Sequence, residues 1–359
     1  MRNDAFEQAL QNGVDIARLA PSSHNCQPWS VRYHADTQQG WVTIDRPRAL
    51  KGLPSLEREM LMSCGLFFEY VSTLLKHAGY PLDWRWEGTH RDDPVGGLIS
   101  FTPAMPITAD INAYSQLAKA ITERRTVRAP YQPTQVNPIQ QACLHTLFDG
   151  SPVTLHFYQG EPVRHAVAHL TTRYASLDFS HHQAWQETYQ FIRFNERQYT
   201  EDGFYLHNLF GPVSNLFKCV FRIAFHPKLT PLATRLQLPA MMAKGLAKQV
   251  GEGPQYLAMS LQDESDEHLF IAGMTLGQLW LTLHSWGWGL HPISVLVQHA
   301  SARHALSDTL ALVNPAVFFA RFGHLQQSGA ATPRRSWQSI LTVSHQHSAA
   351  ETKADVSKF

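Results

Sequence analysis

Two long stretches, Glu57–His77 and Asp266–Ser285, constrain this chain more than any other feature. In the first, Met60, Cys64, Phe67, Val71 and Leu74 recur at spacings of four and three, and Leu61 and Phe68 widen the stripe. That period predicts a helix. Few charges interrupt it beyond its start, so it needs cover on more than one side. Asp266–Ser285 reads the same way, and strand-like segments follow both. No sequence repeat is visible, yet two similar α+β units packed together account for 359 residues.

The other elements fit that frame. Asp4–Leu19 reads as a helix stopped by Ala20-Pro21-Ser22-Ser23, and Trp29–His34 and Trp41–Asp45 read as strands. Gly79 and Pro81 end the first long helix. Leu82, Trp84 and Trp86 alternate as a strand, Leu98–Phe101 is a short apolar one, and Asp92–Gly97 reads as the turn between them. Helices are expected over Ile111 to about Arg124, Pro138–Phe148, Pro162–Tyr174 and His182–Gln198. Further strands are expected at Val153–Tyr158, Gln255–Ser260, Ala316–Phe322 and Ser339–Val343. Gly203–Pro254 has scattered apolar residues of weak period, the mark of a lid or insertion. The tail from His345 is polar and expected to be loose.

Composition removes several function classes. Lys and Arg number 30 against 29 Asp and Glu, so there is no global field to hold a nucleic-acid backbone. Cys26, Cys64, Cys143 and Cys219 form no CxxC, which fits a reduced, cytoplasmic setting better than a disulfide scaffold. Residues 1–15 lack a continuous apolar run, so no secretory signal is expected. Asn208–Phe225 is broken by Pro212, Lys218 and Arg222, making it a poor membrane span, although a role at a membrane surface stays open. There is no GxxxxGK[ST], GxSxG or HExxH, and Gly287-Trp288-Gly289 runs into His291-Pro292 rather than completing a dinucleotide fingerprint. His165 and His169 lack Cys or carboxylate partners at ligand spacing, and no metal site is expected.

Three segments carry chemistry. Pro21-Ser22-Ser23-His24-Asn25-Cys26-Gln27-Pro28-Trp29 clusters hydroxyls and carboxamides between a helix and a strand. Such a loop can offer short donors and acceptors to a flat heterocycle or an anion, or simply cap a turn. Arg124-Arg125-Thr126-Val127-Arg128 at a helix end can form a forked phosphate site or a solvated basic terminus. Pro333-Arg334-Arg335 is again basic.

Together these segments resemble the nitroreductase flavoprotein family. Pro21–Trp29 is similar to its PSxxNxQPW loop, and Arg124–Arg128 to its RRSxR phosphate motif. Gly289-Leu290-His291-Pro292-Ile293-Ser294 resembles the loop beneath the flavin ring, and Pro333-Arg334-Arg335 the late basic contact. Arg58-Glu59, Ser63-Cys64-Gly65 and Ala272-Gly273 are further local likenesses. In the ordinary family the phosphate motif precedes the serine-rich loop, and the flavin lies between two subunits. Here the order is reversed and each motif occurs once. The resemblance therefore implies a fused pseudo-dimer with one flavin site, as in the single-chain Acg-type branch: a first half at 1–109, a second at 110–345 with a lid at 203–254, then a tail at 346–359.

The resemblance implies an α+β nitroreductase-like fold binding FMN, with NAD(P)H as reductant and an electron-poor nitro or quinone acceptor. Arg125, Thr126, Arg128 and Arg335 are then expected to face the phosphate, and Arg124 and Arg334 are counted among the cofactor-binding residues without a placement of their own. Pro21, Ser22, Ser23 and Asn25 are expected at the ring system, with backbone groups around Ile293 and Ser294 at the ring edge and Gln27 counted among the cofactor-binding residues. No catalytic side chain is implied, because the cofactor carries the chemistry. The alternative is a non-enzymatic protein that stores FMN under a closed lid. A pseudo-dimer can work as a monomer, and its further assembly stays open.

Overall fold

The structure, a computed structural model, describes residues 2–89 and 97–345. Nearly all of the turn expected at Asp92–Gly97, and the tail beyond His345, lie outside the described residues. The first part of the chain forms α1 (Arg2–Ala17), β1 (Trp29–His34), β2 (Gln39–Ile44), α2 (Leu56–His77), β3 (Leu82–Trp86) and β4 (Ile99–Pro103). Then come α3 (Ile111–Glu123), α4 (Pro138–Thr146), β5 (Val153–Gln159), α5 (Glu161–Ser180) and α6 (His182–Gln190). A peripheral stretch follows: β6 (Ile192–Arg193), β7 (Phe204–Tyr205), α7 (Leu206–Phe210), α8 (Asn215–Ala224), α9 (Thr230–Arg235) and α10 (Leu238–Gly251). The chain closes with β8 (Gln255–Leu261), α11 (Asp266–Ser285), β9 (Trp288–Pro292), α12 (Val295–Gln298), α13 (Ala300–Thr309), β10 (Ala316–His324) and β11 (Leu341–Ser344).

The fold is α+β, as expected. One sheet has the order β11-β1-β2-β4-β3 and the other β5-β8-β10-β9. Every pairing in the two is antiparallel except β1 with β11, where Val31 faces Leu341 in a parallel ladder. The expected boundaries place residues 341–344 with the second half, but their strand completes the sheet of the first. The Val31 and Ala35 amides hold it there, on the carbonyls of Ile340 and Ser344 at 2.8 and 3.0 Å.

At the centre, α2 packs on α11, and two glycines set the crossing. A Cβ on Gly65 would lie 1.9 Å from the Phe270 carbonyl oxygen, and one on Gly273 would lie 2.0 Å from that of Met62. The contacts are reciprocal: each glycine meets the residue three positions before the other, as a two-fold axis requires. Around the crossing, Phe67 stacks on Trp29 with centroids 4.9 Å apart, and Phe270 meets Phe68, Trp84 and Trp86. One main core spans both sheets.

The peripheral stretch departs from its sequence reading. The helix expected through Gln198 ends at Gln190, because the chain turns into β6 and pairs with β7. Gly203 (φ 74°) permits that pairing, since a Cβ there would sit 2.2 Å from the Phe191 carbonyl oxygen. The weakly periodic segment also holds a regular helix, α10, packed on α5 with Ala243, Ala247 and Val250 buried. Trp185, Ile192, Leu206 and Phe221 form a separate small core, so this substructure begins before residue 203.

Candidate functional site

The loop between α1 and β1 is the most distorted backbone in the described chain. His24, Asn25 and Gln27 have φ of 50°, 55° and 53°, three of six non-glycine residues with positive φ among those described. Such conformations cost ~1–3 kcal/mol each and persist only where surrounding contacts hold them. The Ser22 hydroxyl accepts the Gln27 amide at 2.9 Å. Pro21 stands half-buried ahead of it. Asn25 donates to the carbonyls of Gly203 and Pro333, both at 2.8 Å, and accepts from Arg334 at 2.7 Å. Gln27 donates to the Glu201 carbonyl at 2.8 Å and accepts the Arg335 amide at 2.9 Å. Two carboxamides thus tie together three segments far apart in sequence.

Arginines converge beside this loop. Arg124, at the end of α3, and Arg334 both donate Nη2 to the Leu19 carbonyl oxygen, at 3.3 and 3.2 Å. The Arg124 guanidinium lies over the Trp280 ring, 4.7 Å from its centroid. Burial, with Arg124, Arg125 and Arg18 close by, pulls Arg334 down to about 9. Burial also lowers Arg124, and Arg125 adds to the shift. Among the described residues no carboxylate pairs with Arg124, Arg125 or Arg334. Nε and Nη1 of Arg124 and Nε of Arg334 are buried without a well-formed hydrogen bond; the Tyr70 hydroxyl lies beside Arg124 and is its nearest protein acceptor. Arg125 bends back to the carbonyls of Thr122 and Arg124, at 2.5 and 2.8 Å. It borders an open pocket of about 600 Å³ shared with His284 and Gln326.

The remaining expected residues divide. Thr126 forms a parallel bridge with Leu290, laying the arginine segment along β9. Arg128 donates to the Asn208 carbonyl at 3.1 Å and is lowered to about 10 mainly by burial, with Arg321 nearby. Arg335, also expected at the phosphate, is held by groups of the chain itself. Its guanidinium is spent on the carbonyls of Gln27, Trp29 and Ser339, the Ser339 hydroxyl and the Asp45 carboxylate. Ile293 is buried in a second core with its amide on the Phe319 carbonyl, and Ser294 starts α12. Gly289–Pro292 form an edge strand, hidden in sequence because Gly and Pro are poor strand formers.

Glu59 reaches the site without having been assigned a role in it. Ser23 donates to one of its oxygens and Gln298 to the other, at 2.7 Å for Gln298. It therefore links the serine-rich loop to α12. Burial raises it, and its two donors oppose the shift. No sequence signal singled it out for that role, because it stands beside Glu57 and Arg58 in the charged first turn of α2. His24, lowered to about 4 by burial, completes that side as a neutral ring.

No protein-family model matches the chain. Over 356 residues, 99% of each protein, it is 67% identical to "Probable NAD(P)H nitroreductase PigM" of Serratia sp. (strain ATCC 39006). The chain belongs to the NAD(P)H nitroreductase family. A more distant relative, "Putative NAD(P)H nitroreductase acg" of Mycobacterium tuberculosis (strain ATCC 25618 / H37Rv), is 26% identical over 175 residues, 48% of this chain and 51% of that one. Among solved structures, the FMN-dependent nitroreductase NfnB from Mycobacterium smegmatis, in complex with NADPH, aligns with a TM-score of 0.41 at 16% identity, over 64% of this chain and 98% of that one. Membership of a nitroreductase family makes the chain an oxidoreductase, and the flavin-storage alternative gains no support. No helix among the described residues is long and apolar enough to cross a membrane.

Proposed function

We propose that this chain binds FMN and passes electrons from NAD(P)H to a small electron-poor nitro or quinone acceptor. The observation that carries the reading is the arginine convergence: Arg124, Arg125 and Arg334 without a carboxylate, with buried donors that lack a well-formed hydrogen bond. Buried guanidinium donors in that state are costly unless an anion completes them, and a phosphate monoester suits their forked geometry. The donor set therefore fits the cofactor's phosphate.

Arg124 and Arg334 would hold that phosphate, with Arg125 beside them. Ser22, Ser23 and the left-handed backbone of His24, Asn25 and Gln27 would meet the ring system, with Ile293 and Ser294 opposite. Asn25 and Gln27 fix the loop instead of reaching outward, since their side chains are already bonded within the chain. When bound, FMN supplies the hydride chemistry. Glu59 holds Ser23 in place. The phosphate ligands come from the second part of the chain and the serine-rich loop from the first. That division and the reciprocal glycines support a fused pseudo-dimer with one site per chain. Four unpaired cysteines and a need for NAD(P)H favour a cytoplasmic setting.

Comparing FMN with riboflavin tests the assignment. Charge-assisted hydrogen bonds contribute ~1.5–3 kcal/mol, so Arg124→Gln should weaken FMN by roughly 10–100-fold while riboflavin changes little. Equal losses for both ligands would remove the phosphate from this cluster.

A further inference from the structure

The peripheral helices carry a surface that flavin binding does not use. On α8, Leu216, Val220 and Ile223 follow at i, i+4 and i+7 and are 74%, 55% and 61% exposed. The opposite side of the same helix buries Phe221 in the small core with Trp185 and Leu206. Leu232 on α9, Leu236 just beyond its end and Met241 at the start of α10 are likewise more than half exposed. Exposed aliphatic side chains at helical spacing need an explanation that a single exposed leucine does not.

The charges around them are one-sided. Between Gly203 and Gly251 the sequence has Lys218, Arg222, Lys228, Arg235, Lys244 and Lys248 but no Asp or Glu, in a chain with 30 basic and 29 acidic residues. Lys218 pairs with Glu196 at 2.6 Å. The other five are exposed, and none has an ion-pair partner among the described residues. Protein–protein interfaces are depleted in lysine. Aliphatic residues flanked by Lys and Arg instead suit a helix lying in the headgroup region of a bilayer. At ten residues α8 is about 15 Å long, too short for a ~30 Å hydrocarbon core, so such a helix lies on the membrane.

We propose that the exposed side of α8, with the basic residues of the α8–α10 segment, docks the protein onto the surface of an anionic phospholipid bilayer. Leu216, Val220 and Ile223 enter the interface while the unpaired cations meet lipid phosphates. The docked segment is continuous with the strap that contacts the site: the carbonyls of Glu201, Gly203 and Asn208 accept from Gln27, Asn25 and Arg128.

Vesicle flotation of the full-length protein tests the proposal. Phosphatidylcholine vesicles are compared with vesicles in which half of that lipid is replaced by phosphatidylglycerol. The protein should float with the anionic vesicles at least about tenfold more than with the neutral ones, and added salt should reduce the difference. The double variant Val220→Asp/Ile223→Asp should lose flotation, and Arg235→Gln/Lys244→Gln/Lys248→Gln should lose the anionic preference. Near-ultraviolet circular dichroism and the urea midpoint check that both variants stay folded; if the aspartates unfold α8, Val220→Ser/Ile223→Ser replaces them. Absence of flotation with anionic vesicles, or unchanged flotation of folded variants, would overturn the proposal. So would a concentration-dependent dimer in sedimentation that Val220→Asp/Ile223→Asp abolishes, because that result assigns the face to a second copy of the chain.

Discussion

Arg334 and Arg335 are neighbours in the chain, yet one keeps an unspent buried donor and the other exhausts its guanidinium on protein acceptors. Sequence cannot separate them, because which arginine faces inward depends on how Asn25 and Gln27 grip residues 333–335. Removing Arg335 leaves Asp45 without its cation. Arg335→Ala should therefore cost roughly 3 kcal/mol of stability by urea denaturation while leaving the ratio of FMN to riboflavin affinity unchanged. Glu59 offers a pH test. Its folded-state value lies above the ordinary glutamate range, chiefly through burial. The folded state then holds more protons than the unfolded state, so stability falls as pH rises from about 4.3 toward the raised value. Glu59→Gln should flatten that decline. A midpoint-versus-pH curve as steep as the parent's would show that Glu59 is not its source.

At the level of elements, both long helices were legible because a dense apolar period survives any environment, and that period runs through Gly65 and Gly273. What the period could not show was that the two glycines face each other. Each lies against the partner helix's backbone, which has no flexible side chain to yield. Gly273→Ala should destabilise the chain by about 3 kcal/mol, the upper end for overpacking, and Gly65→Ala similarly. A urea midpoint within error of the parent for either variant would mean that the helices can separate without loss. Helix α10 was missed because alanine at its buried positions gives little hydrophobic contrast to a period search. The short β6–β7 pair was missed because Gly203 closes it through tertiary contact rather than local sequence.

For the whole molecule, the reversed order of the arginine and serine-rich segments was the most informative property of the sequence. The return of β11 to β1 was not legible, since a four-residue strand carries no address. Both point to a chain whose halves cannot work apart: the first sheet is completed by residues 341–344, and the proposed phosphate cluster draws on Leu19, Arg124 and Arg334 together. On the proposed function such a site occurs once per chain. FMN titration followed at the molar mass of a single chain should saturate at one equivalent. Deleting residues 337–359 removes β11 along with the Ser339 contacts that hold Arg335, and so loosens the segment that presents Arg334. That truncation should lower the unfolding midpoint and weaken FMN together, with riboflavin weakened as well because the serine-rich loop loses its clamp. A truncated chain that keeps the parent's midpoint and its FMN affinity would show that the returning strand is an accessory to the sheet, with the site built by the remaining residues alone.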